Sequence, residues 1–222
     1  MTMGFIRNIY EAIYNNLIAG GAYLSIIKGA ITTMVLFFAA IAIGFVLGSL
    51  LTFLQVQKNK ILNQVGVLCG FLFKGTPVYL ALLLWYYCFL GKMHQGSLLI
   101  AILVFSIYVG GHMADILVRN MEKEARRQTP AINERAKKEF FQALLPFITE
   151  QSMFELKRLV QMLLQWTTVV GVIRVNDLAE VMTGIGQKTL NPFFSIFCAI
   201  IVYLILQLGM EYLFTWAKKK LS

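Results

Sequence analysis

Few side chains in this sequence have the type and spacing that chemistry requires. Cys69, Cys88 and Cys198 lie far apart in apolar surroundings, without metal-ligand spacing, which indicates small buried hydrophobes. His94 and His112 are isolated, and two such histidines do not make a metal site. No G-x-x-x-x-G-K-[ST] stretch occurs, so any ATP chemistry must come from a partner chain. The sequence therefore predicts no catalytic, cofactor-binding or metal site.

The polar groups that stand out lie within or beside apolar runs. Gln165, Thr167 and Thr168 place an amide and two hydroxyls on a short apolar segment. Inside a membrane such groups either bond to neighbouring helices or line a path, and helix packing is the favoured interpretation. Asp115 and Glu155 lie near the ends of apolar runs, where an interfacial position is favoured over a functional one. Asp115 and the three residues on the short segment are the candidates for a translocation path.

Composition places these residues in a membrane protein. Hydrophobic residues make up 58% of the 222 residues and charged residues 14%, against about 25% charged in soluble domains. The mean hydropathy is +0.69. The net charge of +9 is spread over short stretches between apolar blocks, which favours membrane anchoring and excludes nucleic-acid binding.

The apolar blocks predict an all-α polytopic protein with about five transmembrane helices. A span needs roughly 20 mostly apolar residues. Gly44 and Gly48 in the first block form a G-x-x-x-G that allows close helix contact. The fourth block is short and polar, so it is expected to be an inner helix. The predicted spans are 31–56, 75–91, 93–114, where Asp115 ends the block, 155–174 and 191–214.

Outside the spans, residues 1–27 form a mixed segment with near-helical apolar spacing, which predicts an amphipathic surface helix. Residues 61–73 have similar helical apolar spacing and lead into the second span. The membrane domain is predicted to cover residues 28–217. A basic tail, 218–222, follows. With five spans, 15 of the 20 Lys and Arg residues share one side. The positive-inside rule then puts the N-terminus outside and the C-terminus in the cytoplasm.

The cytoplasmic loop 119–150 is the one long hydrophilic segment. After Pro130, apolar residues that include Ala136 and Phe140 recur mostly three or four positions apart, which predicts an amphipathic helix. Such a helix either rests on the membrane boundary or docks into a groove on a soluble partner. Composition does not separate these two alternatives.

Several short motifs now resemble one family, the permease subunits of polar amino-acid ABC importers. The stretch Phe73-Lys74-Gly75-Thr76-Pro77 is similar to the family's F-R-G-T-P signature, with Lys74 in place of arginine. We expect Lys74 to reach the cytoplasmic headgroups. Residues 111–119 resemble the family's A-E-I-x-R segment, with Asp115 at the acidic position. Residues 163–178 resemble its L-L-K-D-T-S-L-x-S-V-I-G-V-x-D-L pattern, and Leu145-Pro146 its L-P. The resemblance covers roughly residues 25–217.

One motif is degenerate. The family's cytoplasmic E-A-A-x-x-x-G is represented only by Glu124-Ala125 or by Glu134 and Ala136, and no glycine lies between Arg119 and Glu150. Gln165 and Trp166 replace the family's lysine–aspartate pair. The resemblance nevertheless implies a type I importer arrangement with a coupling loop formed by Glu124, Ala125, Glu134, Ala136, Phe140, Leu145 and Pro146.

The resemblance implies a non-catalytic permease that moves a polar or charged amino acid across the inner membrane. The expected partners are an ATP-binding cassette ATPase dimer that binds ATP and Mg, a second permease subunit, an extracytoplasmic solute-binding protein and membrane lipid. A structural or regulatory subunit that is descended from a permease and has weak ATPase coupling remains an alternative. A secondary transporter is disfavoured because no internal repeat is found, and a membrane enzyme because polar groups do not converge.

Overall fold

The computed structural model describes residue 14 and residues 21–90, 96–127 and 150–221. In this part of the chain all regular structure is helical, without a strand. Helix α1 spans Ala22–Gln55, α2 spans Lys60–Gly75 and α3 spans Val78–Trp85, continued by a π turn, Tyr86–Leu90. Helix α4 spans Ser97–Arg127, and α5 spans Glu150–Trp166, continued by a 3-10 segment, Thr167–Ile173. Helices α6, Leu178–Lys188, and α7, Pro192–Leu221, complete the chain.

Among the described residues, three helices are long and apolar enough to cross a membrane: Ala22–Gln55, Ser97–Met121 and Pro192–Trp216. A fourth crossing results if α2 and α3, which bend by 98° at Thr76 and Pro77, count as one span. Proline has no N–H to give, so it fits the N-cap that Pro77 forms for α3. The predicted span 155–174 corresponds to α5 and to the 3-10 segment that continues it. Leu163 and Leu164 of α5 are buried in the core, as an inner helix requires.

Charged residues end the apolar blocks without ending the helices. Helix α4 runs through Asp115 to Arg127, so the apolar block ends at Asp115 but the helix does not, and residues 119–127 of the predicted coupling loop are helical. Asp115 and Arg119 form an ion pair one turn apart, which supports the helix there. Helix α1 likewise begins at Ala22, inside the predicted N-terminal segment, and α7 continues into the basic tail.

The centre of the fold is a close crossing of α1 and α4. A Cβ on Gly44 would lie 2.6 Å from Cγ1 of Val109, and a Cβ on Gly48 would lie 2.6 Å from Cβ of Met113. The contact position on α4 moves from 109 to 113 as the position on α1 moves from 44 to 48, so the two helices run parallel. The predicted G-x-x-x-G contact is therefore confirmed, because only hydrogen side chains fit between these backbones.

The other helices pack around this pair. Helix α2 lies against the C-terminal end of α1, where the Gln55 amide donates to the Gly66 carbonyl at 3.0 Å. Helix α6 lies against the N-terminal half of α1, and Leu178, Met182 and Ile185 form an apolar cluster there. Helix α5 runs antiparallel to α4 and to α7, which brings the ends of α2, α4 and α5 to one side of the bundle.

Candidate functional site

An ion-pair network joins the ends of α2, α4 and α5. Nζ of Lys74 lies 2.8 Å from Oδ1 of Asp115, whose Oδ2 lies 3.0 Å from Nη1 of Arg119. Nη2 of Arg119 lies 2.7 Å from Oε2 of Glu155. Arg119 thus bridges two carboxylates with separate nitrogens of one planar group, which fixes α5 relative to α4. We call Lys74, Asp115, Arg119 and Glu155 the basal network.

The basal network borders a cavity of about 720 Å³. Arg158 also lines this cavity and has no ion-pair partner among the residues that the structure describes. The imidazole of His112 lines it too and stacks beside Tyr108, with ring centroids 4.5 Å apart. The cavity is therefore charged on both sides, and cations outnumber carboxylates by one. It is a junction at which ion pairs connect α2, α4 and α5.

A second polar cluster ties α1, α6 and α7 together around Asp177. The Asp177 carboxylate accepts from the backbone N–H groups of Ala179 and Glu180 at 3.1 and 3.0 Å, which caps α6. Oη of Tyr203 donates to the same carboxylate at 3.2 Å. Burial raises the pKa of Asp177 above its usual value, and these three hydrogen bonds oppose that effect.

Thr33 completes this cluster from the α1 side. Its hydroxyl donates to the Gly29 carbonyl at 3.1 Å and accepts from the Leu178 N–H at 3.0 Å. Thr33 and Asp177 are both fully buried. Backbone N–H groups in the first turn of α6 thus donate to two side chains outside this helix, Thr33 and Asp177. Thr33 fixes the turn against α1, and the Tyr203–Asp177 hydrogen bond connects it to α7.

A groove with a mostly apolar lining lies between α5, α6 and α7, with a volume of about 400 Å³. Its polar groups are side chains of Gln165, Thr168, Thr183, Tyr203 and Gln207, and its remaining lining is apolar. The Thr168 and Thr183 hydroxyls donate to backbone carbonyls of their own helices at 2.8 and 2.9 Å. Their oxygens can still accept hydrogen bonds from a ligand or from water.

The residues predicted from sequence therefore fall into two places. Asp115 and Lys74 meet in the basal network, where Lys74 pairs with the Asp115 carboxylate; its reach to the headgroups stays a prediction. Gln165 and Thr168 meet at the groove, whereas Thr167 is buried and donates to the Leu164 carbonyl at 2.7 Å. Thr167 is therefore packed inside the chain and does not line the groove. Gly75, Thr76 and Pro77 form the bend before α3.

The coupling-loop prediction is largely outside the described residues. This holds for Glu134, Ala136, Phe140, Leu145 and Pro146. Glu124 and Ala125 lie in the last turns of α4.

Sequence reasoning missed the roles of Asp177, Tyr203 and Gln207. A signal existed for the first, because an Asn-Asp-Leu stretch with Glu180 three positions after Asp177 is a typical start of a helix. Gln207 is a lone amide in the apolar run of α7, which in a membrane span is a reason to look for a partner or a path. No sequence pattern could pair Tyr203 with Asp177.

Several named proteins are similar to this chain, although no family model matches its sequence. A Rickettsia felis protein provisionally named glutamine transport system permease protein GlnP is 22% identical over 203 residues, which cover 89% of this chain and 93% of that protein. Its namesakes in Rickettsia typhi and Rickettsia bellii are 21% and 22% identical over 203 residues, with the same coverage.

A chain from the crystal structure of an amino acid ABC transporter with histidines has a TM-score of 0.70 to this one. The identity is 22%, and the match covers 89% of this chain and 94% of that chain. This match shows the fold, and the sequence similarity to the named relatives also extends over nearly the whole chain. The resemblance drawn from the motifs is thus confirmed: over nearly its whole length the chain is similar to proteins named as amino-acid transport permeases, and it shares the fold of an amino acid ABC transporter chain.

Proposed function

We propose that this chain is a permease subunit of an ABC importer that moves a polar or charged amino acid across the cytoplasmic membrane. A separate ATPase dimer binds ATP and Mg and drives the transport, a second permease completes the path, and an extracytoplasmic binding protein delivers the amino acid. The fold, shared with an amino acid ABC transporter over 89% of the chain, supports this proposal. The N-terminus faces outward and the C-terminus the cytoplasm, as the distribution of basic residues predicts.

One observation carries the proposal, namely the position of the basal network beside both ends of the coupling segment. Residues 128–149 connect the end of α4 to the start of α5. At 1.5 Å per residue, Arg119 lies about 12 Å before the end of α4, and Glu155 about 8 Å after the start of α5. The Arg119–Glu155 ion pair therefore joins the two helices close to where the segment leaves and returns.

This arrangement can transmit a movement of the ATPase to the membrane helices. A partner that displaces the coupling segment, through residues such as Ala136 and Phe140, pulls on α4 and α5 together because Arg119 joins them. Asp115 extends the connection to Lys74 and hence to α2, which packs across the end of α1. The ATPase would thereby favour one of two packings of the same helices.

A structural or regulatory subunit that pairs with a second permease is the alternative. The absence of a glycine from residues 119–150 favours it, since the family's docking motif uses a glycine to turn. Both functions predict a membrane complex, but only the importer function predicts that this chain's own basal network affects transport.

The first test is purification of the tagged full chain from native membranes, followed by reconstitution in liposomes. We expect an ATP-binding subunit to co-purify and amino-acid uptake to require ATP. Recovery of the chain without an ATPase would contradict the importer function. Co-purification with uptake that does not depend on this chain would favour the structural alternative.

The second test compares Arg119→Gln with Arg158→Gln in the reconstituted complex. The two arginines line the same cavity, but only Arg119 bridges Asp115 and Glu155. We expect Arg119→Gln to lower the amount of amino acid carried per ATP by about fivefold or more, the lower range of coupling between sites. Arg158→Gln should change it little. Equal values for the two variants would contradict the proposed transmission.

A further inference from the structure

The cavity beside the basal network contains one cation more than its carboxylates neutralise. Lys74 pairs with Asp115, and Arg119 pairs with both Asp115 and Glu155. Arg158 lines the same cavity and forms no ion pair with any described residue. An anion that enters the cavity therefore meets the guanidinium of Arg158, while both carboxylates are already engaged by other cations.

Arg158 belongs to an exposed stripe along α5. Phe154, Arg158 and Met162 are spaced four residues apart, so they share one face of the helix. All three side chains are exposed, and all three line the cavity. The cation thus lies between two apolar side chains. This stripe offers a charged contact and apolar contacts to one and the same molecule.

The cavity lies where the apolar parts of three helices end. Lys74 is in the last turn of α2, and Asp115 is the first charged residue after the apolar block of α4. On α5, Arg158 is the last charged residue before the uncharged run 159–173. Cations at such boundaries lie near lipid headgroups, and this side is the one predicted to carry most of the Lys and Arg residues. Anionic lipids are concentrated in the cytoplasmic leaflet, which this side is predicted to face.

We propose that this cavity binds the headgroup of an anionic phospholipid, with the phosphate on Arg158 and an acyl chain along Met162. The planar guanidinium can donate two parallel hydrogen bonds to a phosphate. Met162 lies one turn further into the apolar run, about 6 Å deeper at 1.5 Å per residue. The cavity volume of about 720 Å³ falls in the usual range of about 300–1,000 Å³ for small-molecule sites. A zwitterionic lipid would add a second unpaired cation, so the anionic lipid is preferred.

Native mass spectrometry of the full chain with its co-purifying subunits tests this inference. The protein is held in neutral detergent at low ionic strength and titrated with phosphatidylglycerol or with phosphatidylcholine, which gives the Kd of each lipid. Arg158→Gln removes the proposed phosphate contact, and Lys157→Gln is the matched control. Lys157 is the neighbouring residue and carries the same charge, but it pairs with Glu211 and does not line the cavity.

We expect the parent chain to bind phosphatidylglycerol more tightly than phosphatidylcholine. Arg158→Gln should weaken the binding of phosphatidylglycerol by about tenfold, as expected for the loss of a hydrogen bond between charged groups. Lys157→Gln should keep the affinity of the parent chain. Met162→Ser should weaken the lipid several-fold because it removes the contact with the acyl chain. Soluble glycerol 3-phosphate, at the same concentration as the lipid, should not displace it.

Equal losses for Arg158→Gln and Lys157→Gln would mean a general attraction to basic residues and would overturn the inference. Equal affinities for the two lipids would do the same, as would unchanged binding in Met162→Ser. Displacement by glycerol 3-phosphate would make the cavity a site for soluble phosphates instead. The inference goes beyond the proposed function and does not rest on it, because lipid binding is measured without transport. The transport comparison of Arg119→Gln with Arg158→Gln is made in phosphatidylcholine liposomes, so that the lipid site stays empty there.

Discussion

Two of the long apolar helices, α4 and α7, differ sharply in how they are packed. Within the most apolar stretch of α4, 67% of residues are buried inside the chain, whereas in α7 only 6% are. Helix α4 crosses α1 over Gly44 and Gly48 with no room for a side chain. Helix α7 exposes large apolar residues such as Phe197, Ile200 and Leu208 along its length.

This contrast assigns different tasks to the two regions. The α1–α4 pair is a scaffold whose geometry is set by backbone contact, and close-packed interiors do not deform continuously. Helix α7 packs one side against α6 through residues such as Ala199 and Val202, and two polar contacts, Tyr203 to Asp177 and Glu211 to Lys157, add to this packing. The groove lies on this loosely held side. A part that must change its packing during transport is expected where few internal contacts resist the change.

Substitution of Gly48 tests the scaffold and should have the largest effect. In Gly48→Val, the new Cβ would lie 2.6 Å from Cβ of Met113 and 3.0 Å from the Gly110 carbonyl oxygen, so the helices must separate. We expect a loss of about 1–3 kcal/mol, the usual cost of overpacking. Thermal unfolding of the detergent-solubilised chain, followed by size-exclusion chromatography, measures this effect.

Gly209→Val is the matched control because no atom lies within 4 Å of a Cβ built on Gly209. It introduces the same side chain into the other apolar helix, and its melting temperature should stay near that of the parent chain. If both variants lost the same stability, the difference between the two regions would be an effect of valine in helices rather than of packing.

A smaller effect is expected at the junction between the two regions. Asp177→Ala removes the cap of α6 and the acceptor of the Tyr203 hydroxyl. Loss of a helix cap costs about 0.5–2 kcal/mol. Asn176→Ala, at the exposed neighbouring position, should cost much less. Asp177→Asn should fall between them because it keeps one acceptor oxygen. An equal loss for Asp177→Ala and Asn176→Ala would show that the cap does not hold α6 in place.

The scaffold was largely predictable from sequence, whereas the groove was not. Long uncharged runs predict membrane helices because a helix must be long and apolar enough to cross the hydrocarbon layer. The G-x-x-x-G of α1 allowed close contact with another helix. Helix ends were harder to predict. Asp115 ends an apolar block, yet α4 continues for three turns, since charged residues leave the membrane without breaking a helix.

The remaining residues could not be placed from sequence because their positions depend on contacts between distant segments of the chain. Lys74 meets Asp115, and Tyr203 meets Asp177, only because separate helices pack together. Thr167 and Thr168 are adjacent in sequence, but the 3-10 segment turns one into the core and the other to the groove. A composition-based interpretation treats such neighbours alike, and only the backbone geometry separates packing from lining.

The weakest link predicted is the ion pair between Lys157 on α5 and Glu211 on α7. It lies at the surface, with the Glu211 side chain 51% exposed, and exposed pairs contribute about 0.2–1 kcal/mol. A double-mutant cycle with Lys157→Met and Glu211→Gln should return a coupling free energy in this range. The coupling should shrink at high salt, because screening weakens exposed charge pairs. A coupling that is larger and independent of salt would mean that α7 is held as firmly as α4, and the division into a rigid scaffold and a movable helix would then fail.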